Sequence, residues 1–84
     1  MTETFAPQWL DDDGAHIDVR GLPPPEPLVA ILTLIERADV PDTVIVHHDR
    51  DPLLLYPELA ERGWTAEMVP GEAGVVRLRL TRTP

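Results

Sequence analysis

Apolar and polar residues alternate from Ala15 to Arg20, with Ala15, Ile17 and Val19 on one side and His16, Asp18 and Arg20 on the other. This is the period of a half-buried strand, and Gly21 ends it. The spacing then changes. Leu28, Ile31, Leu32, Ile35 and Ala38 recur three and four apart and predict a helix over about 25–38. Pro25 or Pro27 suits its first turn, because proline lacks an N–H that would find no partner there. Asp39 to Asp42 reads as a turn, and Thr43-Val-Ile-Val46 as a central buried strand of β-branched residues ending at His47-His48-Asp49.

Asp51-Pro52 has the form of an N-cap and first-turn pair, predicting a second helix through Leu53, Leu54, Leu55, Tyr56, Leu59 and Ala60 that stops at Gly63. Pro57 is expected to kink it or to leave 51–56 as a separate turn. Trp64 to Val69 and Val75 to Thr81 flank Pro70-Gly-Glu-Ala-Gly74 and predict a terminal hairpin. The order is β-α-β-α-β-β. It implies an α/β (α+β) two-layer sandwich, with a four-stranded mixed sheet and two helices on one face. Residues 1–14, with the acidic run Asp11-Asp12-Asp13, read as a flexible leader to a single domain over 15–84. Phe5 and Trp9, four apart, could dock as one helical turn.

Composition narrows the chemistry. The 84 residues contain no cysteine, so disulfides, thiolate metal sites, iron–sulfur clusters and thiol nucleophiles are all excluded. All 7 basic residues are arginine, which removes lysine Schiff bases and a P-loop lysine. No serine is present, so a serine triad is excluded as well. A net charge of -8 argues against nucleic acid, since affinity for phosphate backbones comes from basic residues. The longest apolar run, Leu28 to Ile35 with one threonine, is too short to span a bilayer, and the first residues lack the form of a signal peptide. A cytoplasmic protein is expected.

A right-handed β-α-β crossover brings the carboxyl ends of the first two strands to one edge. Arg20, Pro24, Pro25, Glu26, His48 and Asp49 gather there and are the candidate ligand- or partner-binding residues. The prolines delete several helix N-terminal donors, which weakens any phosphate cradle. His47, His48 and Asp49 are weak candidates for a metal site. Adjacent strand residues face opposite ways, and His16 is placed at the far end of its own strand, so a three-histidine site is not expected. Asp11-Asp12-Asp13 lacks the alternate spacing of a calcium loop. No catalytic residue and no cofactor is assigned, and an ion-pair network of Arg20, Glu26 and Asp49 would account for the edge without any ligand.

The stretch Ile17-Asp-Val-Arg-Gly-Leu-Pro-Pro-Pro-Glu-Pro-Leu28 resembles the SirA and TusA sulfur-carrier family, with Asp18, Gly21, Leu22, Pro25 and Pro27 matching its pattern. Pro24 stands where that family has its cysteine, so persulfide relay does not carry over. A closer resemblance is to a domain-of-unknown-function family, number twenty-two forty-nine. It rests on Asp18-Val-Arg20, Pro24-Pro25 with Pro27, and His48-Asp49 with Pro52-Leu53. Arg50 replaces the proline that often follows the His-Asp pair. The resemblance covers about 15–81 and implies a SirA/TusA-like fold without an agreed activity. The functional expectation is a small non-enzymatic module binding a protein partner or small ligand. The alternative is a metal-binding or metal-responsive module using a histidine and carboxylate at the strand ends.

Overall fold

The alternating and helical patterns become five strands and two helices in the structure, a computed structural model describing residues 6–84. In chain order they are β1 (Gln8–Asp11), β2 (Gly14–Asp18), α1 (Glu26–Ile35), β3 (Thr43–His48), α2 (Leu55–Glu61), β4 (Trp64–Val69) and β5 (Val76–Arg82). They form an α+β fold with one open mixed sheet in the order β1-β2-β3-β5-β4. β2 and β3 run parallel, as the crossover requires, and every other pairing is antiparallel.

The strand count corrects the four-stranded expectation. β1 forms within the stretch read as a leader, where Gln8 to Asp11 pair with Gly14 to Ile17 across a tight hairpin. All four of its residues are exposed, and it is held by the backbone ladder together with the Trp9 ring, which stacks on His16 and His47. The helical turn expected for Phe5 and Trp9 is not formed at Trp9, which lies in this strand, while Phe5 falls outside the described residues. Gly14 closes the hairpin at φ 129°, and a Cβ there would approach the Thr43 carbonyl oxygen to 2.4 Å. Only glycine suits that approach.

Ile17, Val19, Val44, Val46, Leu78 and Leu80 point from one face of the sheet into the core, and none of them retains solvent exposure. Ile31, Leu34 and Ile35 of α1 and Leu55 and Leu59 of α2 cover them, with Trp64 closing one side. The buried stripe of α1 is rotated from the expected one: Leu34 is buried, Leu28 and Leu32 are half-buried, and the helix ends before Ala38. α2 begins later than expected. Its N-cap position is Leu54 rather than Asp51, so Pro57 falls in the first turn, where its missing N–H costs nothing and produces no kink. Asp51 to Leu54 instead form a turn. The Asp51 and Pro52 carbonyls accept the N–H groups of Leu53 and Leu55 at 3.0 and 2.9 Å.

Candidate functional site

Delaying α2 to Leu55 has a consequence for the surface. Leu53 and Leu54, read from the sequence as part of a helix, stay outside it at 69% and 77% exposure. They form one wall of a groove of about 280 Å³ at the carboxyl edge of β2 and β3. Pro24, Pro25, Pro27 and Leu28 form the facing wall at the start of α1. The Pro24–Pro25 peptide bond is cis. His48 lies between the walls, with Arg50 and Asp51 completing the lining.

His48 ends β3 and faces the helix side of the sheet, where it is only 2% exposed. Its Nδ1 accepts the backbone N–H of Asp49 at 2.9 Å and that of Arg50 at 3.3 Å. Two N–H groups aimed at one ring nitrogen require that nitrogen to be bare, so the neutral ring carries its proton on Nε2. Among the described residues that Nε2–H meets no acceptor. The Asp49 Oδ1, 3.2 Å from Nδ1, faces a lone pair already engaged by amides and gains a hydrogen bond only when the ring is protonated. Asp49 is otherwise committed: its Oδ2 accepts the Gly21 N–H at 3.0 Å, tying the two strand-to-helix turns together. That bond is the chief cause of a carboxyl held below the usual carboxylate range.

The remaining edge residues divide. Pro24, Pro25 and His48 meet in the groove as the sequence reading expects. Arg20 turns away and pairs with Asp18 in a fork of 2.9 and 2.8 Å, which lowers the Asp18 pKa. Glu26 sits in the first turn of α1 without an ion pair among the described residues. The network of Arg20, Glu26 and Asp49 is therefore not formed. Asp51 accepts the Tyr56 hydroxyl, and burial together with that carboxylate pushes the Tyr56 pKa up to about 12. Sequence reasoning missed Leu28, Arg50 and the Pro52–Leu55 wall, whose only signal was an apolar run preceding a proline.

The metal candidates do not converge. His47 projects from the opposite face of β3, consistent with the alternation expected of neighbouring strand residues, and neither His48 nor Asp49 approaches it. The placement of His16 is a correction. His16 is in register with Ile45, two residues before His47, so the two rings lie diagonally on one face and His16 Nδ1 is 2.8 Å from His47 Nε2. The Asp13 Oδ1 accepts from His16 Nε2 at 2.6 Å, which leaves His16 Nδ1 to accept the His47 Nε2–H. Trp9 of β1 completes a stack of three rings with centroids 5.1 to 5.3 Å apart. Desolvation, His16 and Arg77 hold the His47 pKa below the ordinary imidazole value, against an opposing pull from Asp18. Asp11, Asp13 and His16 also each offer one ligand atom within 4.8 Å of the others.

No helix among the described residues is long and apolar enough to cross a membrane. The family described as "Uncharacterized conserved protein (DUF2249)" matches this chain over residues 16–82, a span that includes the groove and excludes β1. No curated protein and no solved structure matches the chain.

Proposed function

Because the chain belongs to the DUF2249 family, whose description assigns no activity, we propose from its geometry that it is a small non-enzymatic binding module whose ligand site is the groove beside His48. One observation carries this reading: among the described residues the Nε2–H of the His48 ring, itself only 2% exposed, has no protein acceptor and is not sealed from solvent, and the ring borders an apolar groove. A donor that reaches solvent beside an apolar cavity is where a ligand atom can take the place of water. Neither serine nor cysteine exists to act as a nucleophile, and Asp49 and Asp51 are each held by structural partners. The resemblance to the SirA/TusA carriers supports the same place, since Pro24, at their cysteine position, lines the groove. The proposal therefore includes a carrier-like scaffold used for binding without sulfur chemistry. Screening a small fragment library by amide NMR tests it. Shifts should cluster at Glu26, Leu28 and the amides within 48–55, and shifts scattered elsewhere would remove the reading.

A second reading, metal binding, is favoured by the approach of Asp11, Asp13 and His16. Imidazole with two carboxylates suits a zinc- or nickel-type cation, and His47 would fix the His16 ring from behind. Trp9 stacks 5.1 Å from His16 and reports on it, whereas Trp64 is buried on the helix side. Nickel should quench Trp9 fluorescence saturably at micromolar concentration, and His16→Ala should abolish the effect. An unchanged spectrum sinks the metal reading.

A further inference from the structure

The polarity of the groove is uneven in a way that selects among ligands, and this inference rests on the groove being the binding site. We propose that it takes a small organic acid with a compact apolar body, its carboxylate received by His48 Nε2–H and the Arg50 guanidinium. The donors are sparse. Four prolines, at positions 24, 25, 27 and 52, line the walls without any N–H to offer, so the side-chain donors of the lining are the His48 ring and the Arg50 guanidinium. Its tautomer is fixed from behind by the Asp49 and Arg50 amides, so it presents a hydrogen-bond donor to the groove and never an acceptor while neutral.

Arg50 supplies the charge. It meets the protein only through Nε, at 3.4 Å from Asp49, and its side chain is 59% exposed. Both terminal nitrogens are left without a partner among the described residues, and a guanidinium edge matches a carboxylate. The one acid in the lining, Asp51, has its Oδ1 engaged by the Tyr56 hydroxyl. An anionic head group therefore meets a donor and a cation. Leu28, Leu53 and Leu54 provide the apolar contact. A volume of about 280 Å³ lies at the small end of ligand sites, which fits a body the size of a single ring rather than a docked helix.

Phenylacetate and its uncharged isostere phenylacetamide separate the elements of this proposal in an amide NMR titration of the full chain. Phenylacetate is expected to shift the amides of Glu26 and Leu28 and those within 48–55 saturably and to bind about tenfold more tightly than the amide, as loss of a charged hydrogen bond implies. Arg50→Gln, at an exposed position that leaves folding intact, should erase that difference. His48→Phe should weaken both probes, with its folding checked by circular dichroism. Equal binding of acid and amide in the groove overturns the carboxylate assignment and leaves the binding reading standing. If neither probe shifts the groove amides, both fall. If glycyl-leucine, a peptide with a free terminal carboxylate, binds more tightly than phenylacetate, the acid belongs to a chain terminus and the free-acid assignment is overturned.

Discussion

The groove beside His48 and the ring stack on the open face of the sheet use the same side chain in opposite ways. On the open face, Asp13 and His47 satisfy both ring nitrogens of His16, and Trp9 stacks on the two histidine rings. In the groove, the protein satisfies one nitrogen of His48 and leaves the other facing apolar walls. Burial alone does not distinguish them, since His16 and His48 are both buried. Between His16 and His48 the distinction lies in the second ring nitrogen, which has a protein partner in His16 and has none among the described residues in His48.

The largest expected effect comes from His48→Ala. It leaves a cavity and strips two amides of their acceptor, so unfolding by urea should show a loss of about 4 kcal/mol. His47→Ala, at a half-buried position with one ring partner, should cost about 1 kcal/mol. Comparable losses at the two sites would break the contrast between them. Next in size is Gly14→Ala, which forces a β-carbon onto the Thr43 carbonyl and should destabilise the fold by about 3 kcal/mol while exposing Trp9. A red shift of Trp9 emission reports that exposure, and an unperturbed variant contradicts the tight approach.

Acid should act on the ring stack. The His47 pKa is depressed on folding, so its contribution to stability is complete above the ordinary imidazole value and is lost as pH falls through the lower folded one. His47→Gln should flatten that part of the stability profile. At the groove the pH effect runs the other way. Tyr56, raised to about 12, contributes stability that is complete below the ordinary phenol value of about 10 and declines as pH rises toward about 12. Ultraviolet titration of the phenolate should find the raised midpoint, and Asp51→Asn should bring it part of the way back. The smallest stability change belongs to Leu54→Ala. Its side chain is exposed, so stability should move by less than about 0.5 kcal/mol while phenylacetate binding weakens.

How far the sequence reveals this architecture depends on which residues are buried. β2, β3, α1 and the β4–β5 hairpin each bury one face or both, and their periods of 2 or 3.6 are written in the chain. β1 buries no face, so nothing in Gln8-Trp-Leu-Asp11 alternates, and its pairing rests on the backbone, on Gly14 and on the Trp9 ring stacked over two histidines of other strands. The Leu53-Leu-Leu55 run reads as helix because propensity cannot tell a helix interior from a turn that precedes it, and the groove wall was lost with that distinction. His48, Pro24 and Pro25 were legible because a strand end and a helix start are both marked locally. The His16–His47 contact was not, since it depends on a two-residue offset between parallel strands that no local pattern records.

β1 precedes the span shared with the DUF2249 family, yet it covers the flank of β2. Without Gln8 to Asp11, the amides and carbonyls of β2 along that flank would lose their antiparallel partners, and Ala15 and Ile17 would sit at the rim of the sheet. Bare strand rims of that kind recruit other chains. This short exposed strand would then act as a guard against self-association, and its removal should be felt first as aggregation at high protein concentration.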